Sequence, residues 1–209
     1  MYLPRHFRLD EPEAQRSLMR RYPFATLVTV TGEGRPEANP LPLLLHAEEG
    51  AKGVLRGHIA RANPLCRQSP AHAMALFHGP NAYITPSWYP ARGEHGKVVP
   101  TWHYLALEAH GRLRLIDDAH WLRAHVAALT TRFEHDRAAP WSIDDAPADY
   151  IDGMCRAIVG IELTIERLVG KQKAAQHKDS ATQRSVRDGL MAEGMAQQSA
   201  GWLSGAIFE

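Results

Sequence analysis

Cys66 and Cys155 are the only cysteines in the chain, too few for a disulfide framework and in keeping with a reducing cytoplasm. Both are read as buried thiols. Long apolar runs are missing as well. Nowhere do about 18 uninterrupted apolar residues occur, and Met1-Tyr2-Leu3-Pro4-Arg5-His6-Phe7 lacks the hydrophobic core of a secretory leader. A soluble, cytoplasmic protein with no membrane partner is expected. Nor does one sign of charge dominate: 24 Lys and Arg against 23 Asp and Glu leave +1. No global field then marks out nucleic acid or acidic lipid, and any polyanion site must be local. Signature motifs for a nucleotide hydrolase, a dinucleotide fold or a serine hydrolase are absent. The twelve histidines, among them His58, His78, His103, His110 and His177, fall into no metal-ligand spacing, so no metal is expected. Internal repeats, low-complexity tracts and linkers are lacking too, which favours one domain over residues 1–195 with a loosely held tail over 196–209.

What the chain does hold is a succession of short strands. Thr26-Leu27-Val28-Thr29-Val30 alternates, Thr31-Gly32-Glu33-Gly34 reads as a turn, and a second apolar run spans Leu41 to Leu45. A third strand covers Gly53 to His58. A fourth, Ala73 to Phe77, leads through a turn at His78-Gly79-Pro80-Asn81 into Ala82 to Thr85. Trp102 to Ile116 is longer, with a bulge expected at Gly111. Asp118 then caps a helix whose Leu122, Val126, Leu129 and Phe133 form one face, expected to pack on the sheet. Ala148 to Met154 reads as a short helix, and Ile161, Leu163 and Ile165 as one face of the last strand. Ser180 and Gln183 have capping-box spacing, placing a final helix out to Gly194 with Val186, Leu190 and Met191 inward. The pattern predicts a mainly β, α+β fold, mostly antiparallel, closing as a barrel with peripheral helices.

Four clusters carry chemistry. Gly57-His58-Ile59-Ala60-Arg61-Ala62-Asn63-Pro64 puts a cation and hydrogen-bond donors where a strand gives way to a helix, a corner that suits a phosphate. The plainer alternative is that Asn63 caps a short helix and Arg61 makes a surface ion pair. Tyr83-Ile84-Thr85-Pro86-Ser87-Trp88-Tyr89 and Val99-Pro100-Thr101-Trp102-His103-Tyr104 bracket a polar segment, Arg92 to Lys97, read as a mobile loop. Aromatic planes beside Ser, Thr and His donors meet the needs of a flat heteroaromatic ligand such as a flavin, or else simply fill the core. Gly170 to Lys178 follows the final strand in this reading and opens the one strongly basic stretch. It calls for an anion or a partner, DNA included, or is a solvated loop.

Together these motifs resemble the PaiB family: the opening Met1 to Phe7, H-I-A-R-A-N-P, F-H-G-P-N-A-Y-I-T-P-S-W-Y, V-P-T-W-H-Y and G-K-Q-K-A-A-Q, with Pro140-Trp141 and Asp149-Tyr150-Ile151, across residues 1 to about 190. The resemblance implies a homodimeric split β-barrel akin to pyridoxamine 5'-phosphate oxidase-like flavoproteins, with FMN as cofactor and a negative regulatory role over protease production and sporulation. His58, Arg61 and Asn63 would hold the phosphate. The ring would lie at the subunit interface near Ser87, Trp88, Thr101, Trp102 and His103, with Lys171 or Lys173 approaching from the partner subunit and Gln176 among the cofactor-binding residues. Where the family carries W-N-Y and K-x-S-Q-N, this chain has His103, Ala175 and His177, so imidazoles replace two side-chain amides and a hydroxyl is missing. An imidazole donates and accepts only in a fixed tautomer, so cofactor affinity is expected to differ. Three functions follow: an FMN-bearing regulator touching DNA through Lys171, Lys173 and Lys178; an FMN-dependent oxidoreductase, although no residue stands out as a general base; and, behind both, a haem-handling protein.

Overall fold

The computed structural model describes residues 1–68 and 71–195. Its elements run α1 (Pro12–Arg21), β1 (Phe24–Val30), β2 (Pro36–Pro42), β3 (Leu44–His46), β4 (Val54–Ala60), β5 (His72–Ile84), α2 (Ala91–Glu94), β6 (Thr101–Ile116), α3 (Ala119–Glu134), α4 (Ala148–Arg156), β7 (Ile158–Lys173) and α5 (Ser180–Ala192). The strands form one sheet in the order β2-β1-β5-β6-β7-β4-β3. Every pairing with a defined register is antiparallel. The class is therefore α+β, as expected. No described helix is long and apolar enough to cross a membrane.

Two compact units emerge, each assembled from separated stretches of chain. One comprises Pro23–Leu76 and Ala109–Arg167. Here β1 and β2 form the expected hairpin, in register from Phe24↔Pro42 to Val30↔Pro36, closed by Gly34 at φ 79°. The second apolar run is split, because the chain leaves β2 at Pro42 and β3 pairs with β4 instead. Asp118 caps α3 as expected, its carboxylate accepting from Trp121 N–H at 2.7 Å. The apolar face of α3 packs otherwise than expected. Leu122 is buried with Ile143, Ile151 and Cys155, flanked by Trp121, Val126 and Ile158, so α4 supplies most of its cover, while Phe133 is left 46% exposed. Gly111 sits within an uninterrupted strand. A Cβ there would fall 1.9 Å from the Thr164 carbonyl oxygen, so close backbone approach is what requires glycine. Cys155 is buried, whereas Cys66 is only half-buried.

The other unit comprises Met1–Tyr22, Phe77–Glu108 and the chain from Leu168. It begins with α1, which the sequence reading had not placed. Pro12 occupies its first turn, and Ala14, Gln15, Leu18 and Met19 form its buried face. The expected turn at His78 to Asn81 is instead the middle of β5. Gly79 serves strand contact, since a Cβ there would lie 2.7 Å from Leu105 Cβ. The Arg92 to Lys97 segment begins as the short helix α2. The final strand also continues through Lys173, past the loop that Gly170 onward had suggested. α5 is capped one residue earlier than expected: Asp179, not Ser180, accepts from Thr182 N–H at 2.8 Å. Val186 and Leu190 are buried on α5, but Met191 is 48% exposed. The tail expected to be loosely held, 196–209, lies outside the described residues.

Candidate functional site

In the unit that holds the chain ends, the start of β6, the end of β7 and the segment before α1 enclose a cavity of about 260 Å³. Strand alternation sets its floor. Side chains on β6 face opposite ways in turn, so His103 is 3% exposed while Trp102 turns outward at 54%. Lys173 reaches across from β7 and donates to Thr101 Oγ1 at 2.7 Å, with Nζ 5.9 Å from the centre of the Tyr104 ring. Ala174 and Ala175, both buried, leave room beside it. Phe7, Tyr89, Val98 and Val99 supply apolar wall, and Lys97, His177 and Lys178 complete the lining.

The segment before α1 is strapped along β7, which is why Phe7 is there. Arg8 forms a bridge with Lys171, and Leu9 N–H donates to the Gly170 carbonyl at 3.0 Å. Lys171, 8% exposed, donates to the Tyr2 carbonyl at 3.0 Å and lies 5.7 Å and 5.4 Å from the Tyr2 and Tyr104 rings. Gln176 closes the turn after β7: its side-chain oxygen accepts from Ala174 N–H, and its amide donates to the carbonyls of His6 and Gln172.

Electrostatically the cavity is one-sided. Lys97, Lys173 and Lys178 line it, no carboxylate does, and none of the three makes an ion pair among the described residues. Burial, helped by Lys173 and His177, pushes the His103 imidazole down to about 4. Burial also lowers His177, with Lys178 and His6 adding to it. The floor is therefore a neutral imidazole, and the positive charge comes from ammonium groups.

The expected site residues divide between the units. Thr101, His103 and Lys173 line the cavity, and Lys171 and Gln176 fix its frame. Trp102 points away, its ring 6.0 Å from that of Tyr83 in an edge-on pair. Ser87 accepts from Arg92 at 2.9 Å, and Trp88 packs flat against Gly189 of α5, where a Cβ would come within 2.4 Å of the indole. His58, Arg61 and Asn63 belong to the other unit. Arg61 grips Asp117 with both terminal nitrogens, at 2.7 and 2.6 Å, and also donates to the carbonyls of Arg156 and Ile158. Asn63 caps the 3-10 turn Pro64–Arg67 and donates to Asn39 at 2.7 Å. His58 stands edge-on to buried His125, their centres 5.4 Å apart.

Sequence reasoning missed Lys97 and Phe7 as cavity residues, named Tyr89 only among the aromatics around the loop, gave Lys178 to DNA, and weighed His177 only as a replaced amide. Phe7 and Tyr89 were inside quoted motifs, and only the strap and the α2 segment bring them to the wall. Among the described residues no cluster of three or more His, Cys, Asp or Glu is placed to hold a metal ion.

Comparison with known proteins agrees with this architecture. The chain is 31% identical over 187 residues to an uncharacterised protein of Emericella nidulans, covering 74% of each. It is 27% identical over 195 residues to protease synthase and sporulation protein PAI 2 of Bacillus subtilis, covering 92% of this chain and 90% of that protein. The flavocytochrome Anf3 of Azotobacter vinelandii superposes with a TM-score of 0.56 at 13% identity, over 83% of this chain and 73% of that one. An FAD and haem binding protein of Mycobacterium smegmatis gives 0.55 at 19%, over 85% and 75%. These share the split-barrel fold. The family model described as "Putative FMN-binding domain" matches residues 1–167. The chain thus belongs to that FMN-binding family, of which the PaiB proteins are a part, and FMN is the cofactor this membership assigns to it.

Proposed function

We propose that the cavity beneath Lys173 receives the FMN ring system and that the protein works through flavin redox chemistry. One observation carries this reading: Lys173, without a counterion, meets an aromatic and apolar wall around a buried, neutral imidazole. A planar ring with an electron-rich edge matches both features. Bound FMN would supply hydride or electron transfer; the protein's part is orientation and electrostatics. Lys173, steadied by Thr101, sets a fixed positive charge beside the ring, and His103 offers a neutral hydrogen-bonding group at the floor. The test is the visible spectrum of the purified protein and an FMN titration. Binding in the micromolar range or tighter is expected; no flavin absorbance and no binding would remove the reading.

Taken by itself, the corner at the end of β4 is proposed as an oxyanion anchor through His58, Arg61 and Asn63, as the family resemblance implies. Asp117 already occupies the face of the Arg61 guanidinium, so an arriving phosphate has to replace it. Arg61→Ala should weaken binding of inorganic phosphate at this corner, read by titration calorimetry.

Homodimer formation is proposed on the exposed apolar surface of Tyr83, Val99 and Trp102, 47%, 75% and 54% accessible. Transcriptional regulation is the second reading, supported by the similarity to the sporulation protein. If DNA is touched directly, its contacts come from Lys178, Arg184 and Arg187, which are exposed, because Lys171 is buried and Lys173 is turned to the cavity. Affinity for promoter fragments should then fall steeply with salt, and Lys178→Ala with Arg187→Ala should flatten that slope.

A further inference from the structure

The cavity's cations are graded in depth. Lys173 is half-buried and fixed on Thr101, over the buried His103 floor, whereas Lys97 and Lys178 are exposed at the mouth. The backbone holds both mouth lysines. Lys97 N–H donates to His95 Nδ1 at 3.0 Å, and Gly96 before it turns at φ 67°. Lys178 N–H donates to the Ala175 carbonyl at 2.8 Å, and its own carbonyl accepts from Gln183 at 2.8 Å, just ahead of the α5 cap. Two ammonium groups are thus carried on anchored turns at the entrance, beside Phe7 and Tyr89, with no carboxylate in the lining. Most of the protein's arginines are paired with carboxylates. With Lys173 the cation assigned above to the flavin, Lys97 and Lys178 have no role in that reading.

We infer that Lys97 and Lys178 select the flavin's reaction partner, and that this partner is a small anion with a flat apolar body, an aromatic carboxylate or a compound of like charge and shape. This rests on the cavity being the FMN site. A ring-bearing anion entering over the cofactor would meet aromatic wall on one side and two ammonium groups at its charged end, while a cation would be repelled and a neutral analogue would lose the charge-assisted contacts.

The experiment uses the FMN-saturated protein and follows the flavin absorbance band during titration with benzoate, benzamide and benzylamine. Benzoate should perturb the band with an affinity about tenfold above that of benzamide, since a charge-assisted contact is worth roughly 1.5 kcal/mol more than none. Its affinity should fall with added salt, and benzylamine should not bind. Lys97→Met and Lys178→Met, each saturated with FMN first, should each lose about fivefold for benzoate and nothing for benzamide. Equal affinity for benzoate and benzamide would overturn the inference even if both variants failed to fold, because that comparison needs only the parent protein. Release of FMN by benzoate would also overturn it, by assigning the mouth cations to the cofactor. Failure of the parent to bind FMN is a different result, and it removes the underlying reading along with this one.

Discussion

Lys173 is the residue whose loss should matter most to the cofactor. Its ammonium group is half-buried, held at 2.7 Å by Thr101, and unopposed by any carboxylate in the lining. Lys173→Met removes the cation while keeping most of the stem, and a charge-assisted hydrogen bond is worth about 1.5–3 kcal/mol, so FMN affinity should drop about 10- to 100-fold by fluorescence titration. His125 governs a different property. Stacked on Trp121 and edge-on to His58, it is pushed down from 6.5 to about 4 by burial, with His58, His46 and Arg56 adding to the effect. The unfolded chain takes up that proton near the ordinary histidine value, while the folded chain resists it. Its contribution is therefore complete above pH 6.5 and is lost as pH falls toward 4. Denaturant melts across that window should show stability declining by up to about 3 kcal/mol on this account, and His125→Asn should flatten the decline. Thr101, His103 and Lys173 were legible in the sequence because strand alternation and two short motifs fix them. The state of His103 was not, since its charge depends on burial by distant segments.

Among the elements, the long strands were legible in outline and the punctuation within them was not. Gly79 and Gly111 carry the letters of a turn and a bulge, yet both lie where neighbouring chain leaves no space for a Cβ. Gly111→Ala would drive a methyl group onto the Thr164 carbonyl, an obstacle that cannot rotate away. A loss of about 3 kcal/mol is expected, read as a lower melting temperature. A milder change belongs to α5. Asp179→Ala removes its cap and should cost about 1 kcal/mol, whereas Ser180→Ala should be nearly silent. Spacing alone favoured Ser180; the acceptor that reaches Thr182 is the carboxylate one residue earlier. α1 escaped notice because it is short and only Leu18 and Met19 in it are large and apolar, although with Ala14 and Gln15 they recur at helical spacing on one buried face.

For the molecule as a whole, the motif series across residues 1 to 190 conveyed family and fold together, because separated motifs in fixed order constrain topology more than any single propensity does. Assembly is the property it left to measurement. If a second copy covers Tyr83, Val99 and Trp102, sedimentation should report twice the chain mass, and Trp102→Glu should halve it. The strap before α1 has one more consequence. Arg8, Leu9 and the Tyr2 carbonyl hold it to β7 and the His6 carbonyl holds it to Gln176 in the turn beyond, while its Phe7 lines the cavity. Trypsin cuts after Arg5 and Arg8, so the rate of nicking at those bonds should report how full the cavity is: slow with flavin present, quick without it.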